Sequence, residues 1–586
     1  MFDKLRTVKR TAALLLALVV VACASASAPT RDSASPRGEA MATAANPYAV
    51  DAAVEILRAG GSAVDAAIAA ELVLGLVEPQ SSGLGGGGFM MFYDAQSERI
   101  AGYDGREWAP AGATSTMFLD ARGRPLPFPD AQASGLSTGA PLLVPMLKMA
   151  HEDHGRLPWA RLFEPALRLA DQGFVVSPRM ARLVAAAGER GRLRADFSAR
   201  AYFFDREGRP LQAGTLLRNP QYAATLRAIA EQGPRAMTEG PIAEGIVEAA
   251  RRQPRGGSLT LADLQAAQPR RFEPVCGPYR VYRVCSTAPP ASGATVLQIL
   301  GIYERTRPHP QGAQNADDWS AFLWASRLGY ADRDHYVADD QFVPVPTQEM
   351  IAPAYLDERA RQVDLAHAPT RVRAGAPAGD ELYQRWGNDD GPENGTTHIA
   401  IVDAWGNAVS MTATVESAFG SQRMTNGFLL NNQLTDFAFS PTLNGRPVAN
   451  AVEPRKRPRS SMSPVIITDR NGELVLVIGS PGGSSIIGYV ARATIGILDW
   501  NMPVQDVINL SNATARSSPV NIEDERMPPG MIDALRARGW EFRDVTGLEE
   551  SGLHAIRVTP RGLEGGADPR REGTVVSIPP PTPPAR

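Results

Sequence analysis

The residues best suited to chemistry open a strand about two-thirds of the way along the chain. They read Asn394-Gly395-Thr396-Thr397-His398-Ile399 and run on into Ala400-Ile401-Val402-Asp403. A threonine hydroxyl alone is a poor nucleophile. With its own free α-amine as base, titrating near about 7.7–8.0, it becomes a competent one. Such an amine exists only if the chain is cut between Gly395 and Thr396. From these six residues alone, a hairpin with an ordinary threonine-rich strand is the simpler reading.

The elements around this run are those of a mixed fold. Pro47 to Arg58 has a helical pattern that stops at Gly60-Gly61, and an Ala-rich helix, apolar enough to be buried, follows from Ala63 to Leu76. Next comes Ser82-Gly83-Leu84-Gly85-Gly86-Gly87-Gly88, feeding a strand Phe89-Met90-Met91-Phe92-Tyr93. The loop lacks the Lys-Ser/Thr of a phosphate-binding loop and precedes a strand rather than a helix, so close backbone packing explains its glycines better. Residues 140–370 are largely helical, with amphipathic pieces at Trp159–Ala170 and Trp319–Tyr330. The stretch Gly387-Asn388-Asp389-Asp390-Gly391-Pro392-Glu393-Asn394-Gly395 is a strong loop signal directly before Thr396. Beyond it, strands and helices alternate to about Val576, and Pro579-Pro580-Pro581-Thr582-Pro583-Pro584 is a tail that cannot pack.

The chain has 586 residues, 44% hydrophobic and 21% charged, with a net charge of −3, so nothing electrostatic points to nucleic acid. Lys4, Arg6, Lys9 and Arg10 precede an apolar run from Ala12 to Ala22, a targeting segment too short for a comfortable membrane span. The run ends at Cys23, which resembles the lipidated residue of a bacterial lipoprotein signal; cleavage after a small residue up to Ala28 fits equally. Either exports the protein to the periplasm or anchors it at the envelope membrane. Cys276 and Cys285 flank a turn and a strand and could pair in an oxidising compartment, or stay as two thiols. His151 and His154 share a helix and read as surface residues rather than metal ligands.

Four downstream elements change the weight of Thr396. They are Thr412-Ala413-Thr414-Val415-Glu416-Ser417-Ala418-Phe419-Gly420, Gly427-Phe428-Leu429-Leu430-Asn431-Asn432-Gln433-Leu434-Thr435-Asp436-Phe437, Lys456-Arg457-Pro458-Arg459-Ser460-Ser461-Met462-Ser463-Pro464, and Gly479-Ser480-Pro481-Gly482-Gly483-Ser484. The last joins a strand Leu474–Ile478 to a helix beginning near Ser484. With the glycine loop, this ordered set resembles the γ-glutamyltransferase family of N-terminal-nucleophile hydrolases, from about Gly38 to Gly573.

The resemblance implies an α/β (α+β) fold, a four-layer αββα sandwich cut by its own chemistry between Gly395 and Thr396. The parts are then a signal segment 1–28, a linker 29–38, a large subunit 39–395, a small catalytic subunit 396–576 and a tail 577–586. It also implies that Thr396 is the nucleophile, with Thr414 as its orienting partner. An even spacing puts strand residues on one side, and a hairpin could return Thr414 beside Thr396. Gly482 and Gly483 match the oxyanion hole. Arg106, in Tyr103-Asp104-Gly105-Arg106-Glu107, matches the arginine that grips the substrate α-carboxylate, and Ser460 and Ser461 match the two serines assisting there. Gln433 and Asp436 match the pair holding the α-ammonium. Arg455, Lys456, Arg457 and Arg459 read as a solvated or structural run.

Two departures stand out. The best-known type of family enzyme carries Asn where this chain has Glu416, whose carboxylate could join Asp436 in attracting an ammonium or point away to an arginine. The connection from Asp436 to Ser460 has no aromatic between Ser440 and Glu453, so the lid tyrosine is absent and an open site is expected. The implied substrates are glutathione or related γ-glutamyl amides, with water or an amino-acid or peptide amine as acceptor, two subunits from one precursor, and no metal or organic cofactor. Two alternatives stand beside this one: a glutaryl-amide (cephalosporin-type) acylase on the same fold, and a non-catalytic envelope lipoprotein.

Overall fold

The computed structural model describes residues 38–379, 396–547 and 551–580. The export segment, most of the linker, the loop Gly387–Gly395 and the end of the proline-rich tail lie outside the described residues. In chain order, the strands that build the core are β1 (Ala40–Ala44), β2 (Gly87–Asp94), β3 (Arg99–Asp104), β4 (Arg270–Phe272), β5 (Val275–Tyr279), β6 (Tyr282–Ser286), β7 (Thr397–Val402), β8 (Ala408–Thr414), β9 (Val465–Thr468), β10 (Leu474–Gly479), β11 (His554–Thr559), β12 (Gly562–Ala567) and β13 (Thr574–Ile578). They form two antiparallel sheets, ordered β13-β1-β7-β8-β2-β3-β4 and β12-β11-β10-β9-β6-β5.

Strand alternation sorts the side chains into layers. Ile399, Ile401, Val409, Met411 and Ala413 face outward from the first sheet onto α1 (Pro47–Arg58) and α2 (Ala63–Val77). Ala400, Val402, Ala408 and Met91 face inward and meet Cys285, Ile466, Val477 and Ile556 of the second sheet. The other face of that sheet packs against α3 (Gly293–Thr306), α4 (Ala316–Tyr336) and α5 (Ile486–Leu498). This is the expected αββα sandwich.

Local chemistry accounts for the helix ends. Asn46 caps α1, Pro47 takes its first turn, and Gly60 (φ 86°) lies just past its end. Ser62 and Asp65 form a reciprocal capping box at the start of α2. The helix after the Gly482-Gly483 turn begins later than the sequence suggests. A 3-10 turn over Gly483–Ser485 comes first and α5 starts at Ile486, because Gly482 (φ 134°) and Gly483 (φ 55°) are left-handed and cannot belong to an α-helix. Strand β13 reaches Ile578, the second residue of the expected tail.

Cys276 and Cys285 face each other across the β5–β6 hairpin and are joined by a disulfide. His154 is not a plain surface residue: its ring stacks on Phe92 with centroids 3.8 Å apart, and its Nε2 lies 2.7 Å from the Tyr103 hydroxyl. His151 Nε2 meets the Leu157 carbonyl at 2.9 Å. Among the described residues, no group of three or more His, Cys, Asp or Glu is placed to hold a metal ion.

Candidate active site

The β7–β8 hairpin builds the centre of the site. Asp403 shapes its turn: one carboxylate oxygen accepts from the Trp405 and Asn407 backbone N–H groups, and the other accepts from the Ala63 N–H at the start of α2. Burial pushes that carboxyl up to about 6. The register pairs Ala413 with Thr397 and Thr412 with His398, so Thr414 stands opposite Thr396. Their hydroxyl oxygens are 3.2 Å apart. Thr414 Oγ1 also accepts from the Glu416 N–H at 2.7 Å. Thr397 points to the other side of the strand, where its hydroxyl is buried with no hydrogen-bond partner among the described residues. One step further along the inner face, His398 Nδ1 lies 2.8 Å from Thr412 Oγ1, and burial holds that imidazole well below its ordinary pKa.

Thr396 is strained. Its φ is 112°, a region that a β-branched residue enters only when its surroundings hold it there. Arg571 supplies one such hold by donating from Nη1 to the Thr396 carbonyl at 2.7 Å.

The glycine loop is there for close approach. A Cβ at Gly86 would lie 2.0 Å from the Thr414 carbonyl oxygen, and one at Gly85 would lie 2.1 Å from that of Leu429. Gly87 pairs with Thr414, and a Cβ on it would meet the Glu107 carboxyl at 2.7 Å. The loop packs β2 against the strand that carries Thr414, as the packing interpretation of its glycines requires.

Gly482 and Gly483 follow β10, which crosses the hairpin on its inner side. Gly479 leaves no room for a side chain against the His398 ring, and Ser410 Oγ donates to the Ile478 carbonyl at 3.0 Å. Pro481 packs on Gly552, which in turn packs on the Arg571 side chain that holds Thr396. The glycine turn and the threonine pair are therefore joined through Gly552 and Arg571.

Arg106, fully buried, donates from Nε to the Pro458 carbonyl at 3.0 Å and from Nη2 to both the Arg459 carbonyl and Asp436 Oδ2 at 2.5 Å. Gln433 and Asp436 lie on one 3-10 turn, and Gln433 Nε2 donates to the same Asp436 oxygen at 2.8 Å. Ser460 Oγ accepts from the Met462 N–H, while Ser461 Oγ accepts from Arg333 Nη2 at 2.5 Å. Arg333 Nε also donates to Ser292 Oγ, and that hydroxyl donates to the Ser460 carbonyl. Glu416, buried and at φ 79°, accepts on Oε2 from Ser417 Oγ at 2.5 Å and from Asn432 Nδ2.

Three groups here escape sequence reasoning. Arg571 and Arg333 reach the site from far along the chain. Glu107, next to Arg106, is a buried carboxyl whose Oε2 lies 4.0 Å from Arg106 Nη1, and burial pushes it up to about 8. The Lys456–Arg459 run is structural, with Lys456, Arg457 and Arg459 all buried. Lys456 Nζ caps the Ala449 carbonyl, and the Arg457 N–H donates to Asp339. In the uncut chain Thr396 is 3% exposed and Asp436 7%.

The family model for gamma-glutamyltranspeptidase matches residues 49–578. The chain belongs to the gamma-glutamyltranspeptidase family. A relative in Escherichia coli (strain K12), a glutathione hydrolase proenzyme, is 36% identical over 548 residues, 91% of this chain and 90% of its own length. Among solved structures, a cephalosporin acylase from Bacillus halodurans is similar with a TM-score of 0.81 and 25% identity, over 94% of this chain and 98% of its own. The Helicobacter pylori gamma-glutamyltranspeptidase is similar with a TM-score of 0.52 and 31% identity, over 56% of this chain and 91% of its own. Family members thus share this sandwich.

Proposed function

We propose that this protein is a self-processing γ-glutamyltransferase and glutathione hydrolase with Thr396 as its N-terminal nucleophile. The observation that carries the substrate assignment is the pairing of Arg106 with Asp436 at 2.5 Å, deep in the fold. A guanidinium and a carboxylate side by side are complementary to an α-amino acid, whose carboxylate and ammonium would each take one of them. Gln433, already bonded to Asp436, and the Ser460-Ser461 pair complete that cradle.

In maturation, Thr396 Oγ1 attacks the Gly395 carbonyl carbon and the acyl group passes from nitrogen to oxygen. Water then cleaves the ester, leaving Gly395 with a carboxylate and Thr396 with a free amine. Relief of the φ 112° strain favours the cut. In turnover, that amine takes the proton from Oγ1 as the oxygen attacks the γ-carbonyl. The Gly482 and Gly483 N–H groups, at the head of a helical turn, receive the oxyanion. One such donor typically removes about 3–4 kcal/mol of barrier. The proton then passes to the leaving amine. The γ-glutamyl ester on Thr396 is resolved by water or by the amine of an amino acid or peptide. Large and small subunits stay together as a heterodimer, because β7 and β8 lie between β1 and β2 in one sheet. Export to the periplasm or the envelope membrane, with or without a lipid on Cys23, follows from the N-terminal segment.

Gel electrophoresis of the purified protein tests the nucleophile: two fragments are expected from the wild type, and one uncut band from Thr396→Ala. An uncut, inactive wild type would instead favour a non-catalytic lipoprotein. The likeness to a cephalosporin acylase supports a second reading, hydrolysis of glutaryl amides. A glutaryl group has no ammonium and would leave Asp436 without its charge partner once Arg106 turned to the substrate. Mass-spectrometric comparison of glutathione and glutaryl-amide hydrolysis decides between them; faster glutaryl turnover overturns the γ-glutamyl assignment.

A further inference from the structure

Four arginines, none of them in the site described above, converge on one cavity of about 390 Å³. Arg192, Arg252 and Arg255 come from the helical part of the chain, and Arg423 comes from the loop that follows Glu416. The carboxylates in the wall are Asp130 and Asp196. Asp130 is shared: one oxygen accepts from Arg192 Nη2 at 2.6 Å, and the other lies 3.6 Å from Arg255 Nη1. Asp196 accepts from Arg252 Nη1 at 2.5 Å. Arg423 has no carboxylate within 4.0 Å among the described residues. Its Nη atoms donate instead to the Ala249, Arg252 and Pro254 carbonyls.

Four guanidinium charges against two carboxylates leave two positive charges over. The imbalance bears on Arg423, which is only 6% exposed and shares the charge of Asp196 with Arg252, because a buried charge that is not fully compensated forfeits its hydration. Hydrogen-bond donors are also unused here: among the described residues, Arg192 Nη1 and Arg423 Nε are buried without partners. Gln422 holds φ 59°, so its surroundings fix the wall in this shape.

We propose that this cavity binds a small oxyanion, a carboxylate or a phosphate, independently of the Thr396 site. Planar guanidinium forks suit both groups, and the volume is that of a metabolite-sized pocket. The wall combines segments from both sides of the Gly395–Thr396 bond, so the occupant would bridge the two subunits.

Isothermal titration calorimetry on the purified full-length protein tests this, with inorganic phosphate in one arm and succinate in the other. The expected result is saturable binding of at least one probe, weakened by salt and weakened about tenfold in Arg255→Ala. Arg255 is exposed and is not among the residues placed at the Thr396 site, so glutathione hydrolysis by that variant is expected to stay unchanged. Arg192→Gln provides a second variant if the first is poorly folded by thermal melting. Heat from phosphate alone assigns a phosphate, from succinate alone a carboxylate, and from both a general oxyanion site. No saturable heat from either probe, or binding that neither variant weakens, overturns the proposal.

Discussion

Replacing Asp436 by Asn tests the substrate cradle with little change of shape. The amide can still accept from Arg106 and Gln433, so the loss of stability is expected below the about 3–5 kcal/mol that accompanies deletion of one partner of a buried ion pair. On the proposed reading, what disappears is the negative charge facing the substrate ammonium. A charge-assisted hydrogen bond of this kind contributes about 1.5–3 kcal/mol, or roughly 10- to 150-fold in kcat/KM for a γ-glutamyl substrate. A glutaryl substrate has no ammonium and should lose nothing. It should gain, because Arg106 no longer has to leave a carboxylate to reach it. The assay compares kcat/KM for γ-glutamyl and glutaryl p-nitroanilides, with processing of both proteins checked on a gel. The ratio of the two is expected to move by at least about tenfold toward glutaryl. Equal losses on both substrates would refute the reasoning, because Asp436 would then act on the fold and not on the ammonium.

Thr414→Val removes a hydroxyl that both meets Thr396 and accepts from the Glu416 N–H; the loss of about 1–3 kcal/mol should lower kcat roughly 5- to 150-fold and slow processing, with KM little changed. A kcat within about twofold of wild type would count against the pairing. Glu107, its pKa raised by burial to about 8 from 4.5 when unfolded, binds its proton more tightly folded, so its contribution to stability is present below about pH 4.5 and is lost as pH rises through 8. The Tm of wild type should therefore fall over that window more than the Tm of Glu107→Gln; parallel curves would contradict it. Gly86→Ala, whose Cβ would lie 2.0 Å from the Thr414 carbonyl, should lose about 3 kcal/mol or more by thermal melting and mature poorly, whereas Gly123→Ala, with nothing within 4 Å, should lose about 1 kcal/mol at its positive φ.

The parts of this molecule that were legible in the sequence are those set by local pattern. Thr414 reaches Thr396 because a tight turn at Asp403–Asn407 folds two regular strands back, and period-two alternation then carries both hydroxyls to one side. Gly85 to Gly87 announce close packing because no other residue would fit. Arg571 could not be found this way. It sits in Asp568-Pro569-Arg570-Arg571-Glu572, a run that looks like solvated surface, and it meets Thr396 across 175 residues of chain. Arg333 is hidden for the same reason, one charged residue on a helix whose sequence does not show that its tip ends on Ser461. The Lys456–Arg459 run could be solvated or structural by its residue types alone; backbone carbonyls and Asp339 take up its donors inside the fold, which makes it structural.

These hidden residues also explain how a strained threonine persists in the uncut chain. A residue at φ 112° costs on the order of 1–3 kcal/mol, more than a single hydrogen bond between neutral groups returns. Arg571 on its carbonyl adds a charge-assisted bond, and Thr414 holds its hydroxyl. Burial of the strand that follows fixes the rest, with Ile399 and Ile401 locked into the helical layer. On the proposed mechanism the same three holds serve both reactions. They keep the Thr396 oxygen still while the chain behind it is broken, and they are unchanged when the new amine takes up its work as base. The strain belongs only to the uncut form, because φ at Thr396 is no longer defined once Gly395 is gone. The site would thus relax once, at maturation, and stay assembled afterwards.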